Sequence, residues 1–208
     1  MKRKEVSQIL YGLVLVGGKS ERMKKDKSLL NYHGQPQSRY CFDLLSKFCD
    51  RVYLANRKTQ AQLPGQKGLP QIHDLKKYAE IGPLAGILSA MSRYPKVAWL
   101  VLGCDLPFVR KKTLQTLIQK RDPRRIATAY RSAYGDQRPE PLCAIYEPKG
   151  KRRLESFLKK DIVCPRKILM NSDTKLLRPL DKKSLDNIND PHEYRQALSI
   201  LKRHERNR

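Results

Sequence analysis

The chain has 208 residues, 39% of them hydrophobic, and 44 Lys and Arg against 20 Asp and Glu give a net charge of +24. That length suits one well-cored domain, and the charge calls for acidic partners such as nucleotides, a phosphorylated cofactor, nucleic acid or an anionic surface. The five cysteines (41, 49, 104, 143 and 164) form no C-x-x-C and the four histidines show no ligand spacing, which excludes a disulfide framework and a zinc site and fits reduced, cytoplasmic usage.

In chain order, Met1 to Lys4 is basic and Ile9 to Val16 apolar, like a short signal peptide. No small-residue cleavage site follows, so a first core strand, Leu13 to Val16, is the better reading. Cys41, Leu44, Leu45 and Phe48 fall at helical spacing and predict a helix over 38–49. Arg51 to Ala55 and Gln71 to His73 read as strands two and three. Pro83 opens a helix carrying Leu84, Ile87, Leu88 and Met91, with proline suited to the first turn. Val97 to Leu102 is a near-continuous apolar run, typical of a parallel strand buried on both faces.

Leu114, Leu117 and Ile118 mark the next helix. Short strands are expected near 126–130 and 142–146, then a helix with Leu154, Phe157 and Leu158. Leu185 to Ile188 reads as a last short strand. Asp190, Pro191 and Glu193 follow as N-cap, first-turn proline and capping-box glutamate. Tyr194, Ala197, Leu198 and Leu201 give the final helix its buried stripe, and the basic tail 202–208 is expected to fray. No segment has the apolar length to span a bilayer. The alternation predicts an α/β, Rossmann-like, mostly parallel doubly wound sheet with helices on both faces. The expected single domain covers 1–201, and ligands belong beyond the carboxyl ends of its strands.

Strand one empties into Gly17 and Gly18, followed by Lys19, Arg22 and Lys27. Glycines that allow close backbone approach, ringed by cations, suit a polyphosphate; an ordinary strand-to-loop turn is the plainer alternative. A Walker A loop needs glycine at position 13, which is leucine, and the dinucleotide G-x-G-x-x-G spacing also fails.

Asp105 follows the buried strand directly in Val101-Leu102-Gly103-Cys104-Asp105-Leu106-Pro107-Phe108. It suits a hard cation such as Mg2+, bound by one or two carboxylates plus substrate phosphates, or equally a turn. Gly82 and Gly86, in Ile81-Gly82-Pro83-Leu84-Ala85-Gly86, allow close approach at a helix start, by a ligand or by a packed neighbour. Asn56 and Asp74 end strands and could read a base edge and ribose hydroxyls, or simply make turns.

Leu15-Val16-Gly17-Gly18-Lys19-Ser20-Glu21-Arg22-Met23, closed by Asp26-Lys27, matches the nucleotidyltransferase signature L-x-(A/G)-G-x-S-x-R-M. With the Cys104-Asp105-Leu106-Pro107-Phe108 run, Gly82-Pro83-Leu84-Ala85-Gly86, Pro141-Leu142-Cys143-Ala144-Ile145-Tyr146 and Asn187-Ile188-Asn189-Asp190-Pro191, it makes the chain resemble the molybdenum cofactor guanylyltransferases. The motifs run from residue 15 to 191 in family order. Val16 replaces the usual alanine, Lys24 the usual glycine, and Asp190 the usual threonine; the loop before Asp26 is short.

The resemblance implies GMP transfer from GTP to the terminal phosphate of a molybdopterin-type cofactor, with release of pyrophosphate. It implies catalytic Arg22, Lys27 and Asp105, and nucleotide contacts from Leu15, Val16, Gly17, Gly18, Lys27, Asn56, Asp74, Gly82, Gly86 and Asp105. Mg2+ would sit on Asp105 and Asn189. Residues 12–110 would form the nucleotide half and 111–201 the acceptor half. Pathway proteins or acceptor apoenzymes are the implied macromolecular partners; membranes and nucleic acid are not. The rivals are a transferase with another base or acceptor, such as a cytidylyltransferase, and a non-catalytic nucleotide- or RNA-binding protein.

Overall fold

The computed structural model describes residues 9–16, 26–134 and 136–206. Seven strands form one sheet: β1 (Leu10–Leu15), β2 (Arg51–Asn56), β3 (Gln71–His73), β4 (Ala98–Gly103), β5 (Ala127–Arg131), β6 (Pro139–Tyr146) and β7 (Thr174–Leu177), in the order β3-β2-β1-β4-β6-β5-β7. Six helices accompany them: α1 (Gln37–Leu45), α2 (Pro83–Arg93), α3 (Lys111–Gln119), α4 (Gly150–Leu158), α5 (Pro165–Met170) and α6 (Pro191–Arg206).

Strand β1 lies between β2 and β4, parallel to both. Strand β6 breaks the pattern by pairing antiparallel with β4 on one side and β5 on the other. The sheet is therefore mixed, although most of its pairings are parallel.

Side-chain alternation divides the core. Leu13 and Leu15 of β1 and Trp99 and Val101 of β4 point to the face covered by α2, α4 and α5. Val14, Leu100 and Leu102 point to the opposite face, under α1 and α3. This period of two fixes the register, because a one-residue slip would reverse both faces. All six residues of β4 are buried, and each large apolar side chain so placed contributes about 1.5–3 kcal/mol.

The chain departs from the sequence-based expectations at several places. Helix α1 stops at Leu45, short of Cys49. Residues 185–188 form no strand: a tight turn spans Lys182–Leu185, and the Ile188 N–H then donates to the Asp105 carbonyl at 2.8 Å, a loop contact and not a ladder. Ile188 buries its side chain with Leu30, Tyr32, Phe108, Ala197 and Leu201 in a third cluster under α6. Helix α6 continues to Arg206, past the point where fraying is expected. Asp190 caps the helix as expected, its Oδ1 accepting from the N–H of His192 and Glu193, with Pro191 in the first turn; only the return bond differs, since Glu193 accepts from the Asn189 N–H at 2.6 Å and not from that of Asp190.

Much of the basic run at 121–125 is internally paired. Arg121 holds nearly buried Glu147 through two bonds of 2.7 and 2.8 Å, Arg124 pairs with Asp122, and Arg125 pairs with Asp173. No described helix is long and apolar enough to cross a membrane.

Candidate nucleotide-transfer site

The carboxyl ends of β1, β2 and β4 meet in register, with Leu15 opposite Ala55 and Gly103. Leu15 and Val16 are buried there, and the Val16 N–H donates to the Ala55 carbonyl at 3.2 Å. Their side chains are core, so any contact with a ligand falls to their backbone. Gly17, Gly18 and Arg22 lie outside the described residues.

Lys27 begins a single tight turn, Lys27–Leu29, capped by the Asp26 carboxylate, which accepts from the Ser28 N–H at 2.9 Å. The Lys27 ammonium donates to Asn189 Oδ1 at 2.7 Å, across 162 positions of sequence. Asn189 is delivered by the same segment whose Ile188 N–H binds the Asp105 carbonyl. The fold thus brings Lys27, Asp105 and Asn189 together.

Asp105 presents one oxygen, Oδ1, that is buried with no hydrogen-bond partner; no other described carboxylate oxygen is buried in this way. Burial raises its carboxyl above the ordinary value, and Lys27, the residue's own backbone N–H and Arg166 pull it back down. A desolvated carboxylate oxygen without a donor suits a hard divalent cation, which Mg2+ sites hold through one or two carboxylates and substrate phosphates. No cluster of three or more His, Cys, Asp or Glu exists among the described residues to make an all-protein cage. Asn189, which the resemblance implies as a second metal ligand, accepts from the Lys27 ammonium through its Oδ1.

A cleft of about 150 Å³ opens beside Asp105, walled by Pro83, Glu140, Leu142, Arg166 and Asn187. Arg166 donates to Glu140 Oε2 at 3.1 Å and to the Pro139 carbonyl at 3.2 Å. Burial raises the Glu140 carboxyl, against the Leu142 N–H and Arg166, which lower it. Two bonds thus orient the guanidinium at the cleft beside Asp105.

Other expected contacts settle differently. Asn56 is buried and its amide is committed inward: Nδ2 donates to Gln66 and Gln71, each at 2.9 Å, and Oδ1 faces His73 Nδ1 at 2.7 Å. It braces the end of β2 and offers no free amide edge to a base. A Cβ on Gly86 would lie 2.8 Å from Ala55 Cβ and 3.1 Å from Leu15 Cδ2. Its absence lets α2 lie close on the sheet, so packing governs this glycine. Gly82 caps α2 at φ 64°, and a methyl group there would meet nothing within 4 Å. Asp74 sits beside Gly86, its carboxyl raised by burial and opposed by Arg57 and His73.

Arg166, Gly103, Gln60 and Gln66 escape the sequence reading. Gly103 carried a signal, since it sits two residues before Asp105 at a strand end. Arg166, in Cys164-Pro165-Arg166, carried none.

A partly parallel sheet with a lysine turn, an aspartate that buries one unpartnered oxygen and an arginine-lined cleft at its carboxyl edge has the architecture of a nucleotidyltransferase. A family model described as the MobA-like NTP transferase domain matches residues 12–185. The chain belongs to this family, that of the molybdenum cofactor guanylyltransferases. The molybdenum cofactor biosynthesis bifunctional protein of Synechocystis sp. is 41% identical over 194 residues, 92% of this chain and 55% of that protein. The chain therefore spans about half the length of that relative. The probable molybdenum cofactor guanylyltransferase of Nostoc sp. is 31% identical over 72% of this chain and 71% of its own length.

Among solved structures, molybdopterin-guanine dinucleotide biosynthesis protein A from Archaeoglobus fulgidus matches with a TM-score of 0.76 at 25% identity, over 93% of this chain and 99% of that one. CMP:2-keto-3-deoxy-manno-octonic acid synthetase, at 12% identity and a TM-score of 0.68, shares the fold alone.

Proposed function

We propose that this chain transfers GMP from GTP to the terminal phosphate of a molybdopterin-type acceptor. An acceptor phosphate oxygen attacks the α-phosphorus, the bond to the β-phosphate oxygen breaks, and pyrophosphate leaves. The observation that carries the reading is the convergence of Lys27, Arg166 and the Asp105 carboxylate, with its buried and unpartnered Oδ1, at one sheet edge. Transfer at phosphorus asks mainly for positioning and charge compensation, so no Ser-His or Cys-His pair is required.

Lys27 meets the negative charge of the triphosphate and of the leaving pyrophosphate, and Asn189 steers its ammonium. Arg166, oriented by Glu140, receives the anionic acceptor in the cleft. Asp105 would hold Mg2+, which supplies charge neutralisation at the phosphates when bound. Residues 12–110 then serve mainly the nucleotide and 111–201 the acceptor, with pathway proteins or acceptor apoenzymes as further partners.

Because Asn56 is turned inward, base selection falls to Asp74 and to backbone groups at the strand ends. The test is calorimetric titration with Mg2+ and each of GTP, CTP, ATP and UTP. GTP should bind at least about tenfold more tightly, a difference of about 1.4 kcal/mol. Equal affinity for all four would refute the guanylyl assignment. A salt-sensitive RNA complex with no response to GTP would instead favour a non-catalytic role.

A further inference from the structure

The turn that presents Lys27 rests on two glutamines of a single loop, residues 57–70, between β2 and β3. Gln60 Nε2 donates to Asp26 Oδ2 at 2.9 Å. Gln66 Nε2 donates to Ser28 Oγ at 2.9 Å. Both sequence neighbours of Lys27 are thus bound to the same loop. Ser28 and Gln66 are fully buried, and Gln60 nearly so.

The loop is anchored on the sheet side as well. Gln66 Oε1 accepts from Asn56 Nδ2 at 2.9 Å, and Gln71 Nε2 donates to the Gln66 and Ala61 carbonyls at 2.9 and 3.0 Å. Gly65 adopts φ +78°, and a Cβ there would stand 2.7 Å from Pro36 Cβ. The Ser38 hydroxyl donates to the Gly65 carbonyl at 3.2 Å. An unbroken polar chain therefore runs from the end of β2 through Gln66 to Ser28.

Buried amides and hydroxyls cost free energy unless every one is satisfied. An apolar side chain at position 66 would fill the space but take a partner from the buried Asn56 amide and the Ser28 hydroxyl. What the polar choice adds is a fixed location for the turn, because hydrogen bonds are directional and apolar contacts are not. A misplacement near 1 Å at a phosphate contact is enough to matter for transfer.

We propose that Gln66, acting through Ser28, and Gln60, acting through Asp26, are positioning residues that set Lys27 against the nucleotide phosphates. This rests on the reading of Lys27 as a phosphate contact given above.

The test is a double-mutant cycle on GTP affinity, measured calorimetrically with Mg2+ in the full-length protein. Ser28→Ala and Gln66→Met are each combined with Lys27→Ala. Each single variant should bind GTP about tenfold more weakly, and each should add less than about twofold once Lys27 is gone, since coupled residues are not additive. A general structural defect would weaken binding by the same factor in both backgrounds, and that additivity overturns the proposal, as does unchanged affinity in the single variants. Should Gln66→Met fail to fold, Ser28→Ala carries the cycle alone, since it deletes only the hydroxyl at the far end of the same bond. If Lys27→Ala itself binds GTP like the parent, the phosphate reading of Lys27 fails first and the positioning role falls with it.

Discussion

Gly103→Ala tests the geometry of the transfer site more sharply than removal of Asp105 itself. Gly103 ends β4 at an ordinary negative φ, so alanine meets no backbone strain there. A Cβ at this position would stand 2.6 Å from Asp105 Oδ1, 0.4–0.8 Å inside the tightest ordinary approach of 3.0–3.4 Å. It would also lie 3.1 Å from Leu142 Cβ. The carboxylate is the end of a side chain and can swing away, whereas the β4 backbone is held on both sides by β1 and β6. Added volume in a packed site costs about 1–3 kcal/mol, and a reacting group displaced by most of an ångström loses about ten- to a hundredfold in rate. The expected variant is folded, melts a few degrees lower, and turns over GTP with a molybdopterin-type acceptor ten to a hundred times more slowly, read as pyrophosphate release. A folded variant within twofold of the parent rate would refute the placement of Asp105. Loss of activity only by unfolding at the assay temperature would trace the effect to Leu142 instead.

Two further outcomes follow from the same geometry. Lys27→Ala removes a charge-assisted contact worth about 1.5–3 kcal/mol, so catalytic efficiency should fall by about one to two orders of magnitude; Lys120→Ala, exposed at the far end of α3, removes the same charge and should act only through screened attraction. Equal losses in both, vanishing as salt rises, would mean that diffuse charge binds the nucleotide. Burial raises the Asp105 carboxyl, and an acid raised on folding favours the native state most when protonated, so this group's contribution to the ligand-free protein declines as pH climbs through the raised value. Asp105→Asn should therefore melt higher than the parent at neutral pH while losing turnover, and it should lose the rise in Mg2+-dependent GTP affinity with pH; a lower melting point with pH dependence intact would contradict this.

The parts of this structure that were legible in the sequence are those set by local pattern. The apolar runs of β1 and β4 could be read because both faces of each strand are buried, and α2 because Pro83 marks its start. The Asp105 strand end was legible because a carboxylate directly follows such a run. Strand β6 reads as a strand but not as antiparallel, since direction depends on how the β5–β6 connection folds back, which leaves no periodic trace. Helix α5 is only six residues long and β7 is a half-exposed edge strand, too short for either period to emerge. The inward commitment of Asn56 was invisible because its partners, Gln66, Gln71 and His73, become neighbours only when the 57–70 loop closes.

The same logic explains why the 12–110 and 111–201 halves meet at the candidate site. Lys27 comes from the segment after β1, yet its ammonium is steered by Asn189. The Asp105 carbonyl is bonded by the Ile188 N–H, and the Tyr194 hydroxyl donates to the Asn31 carbonyl at 3.1 Å. Tyr32 packs edge-on against Tyr194 with ring centroids 5.0 Å apart. The start of α6 and the residues before it therefore tie the lysine turn to the aspartate loop. The charge of +24 draws anions over a range that salt limits to about 8 Å at physiological strength. On the proposed reading, selection and chemistry rest instead on a few cations whose neighbours fix where they point: Asn189 for Lys27, and Glu140 with the Pro139 carbonyl for Arg166. A surface can gain or lose a lysine with little effect, but in the proposed reaction these two cations would act only while residues distant in sequence hold them to one edge of one sheet.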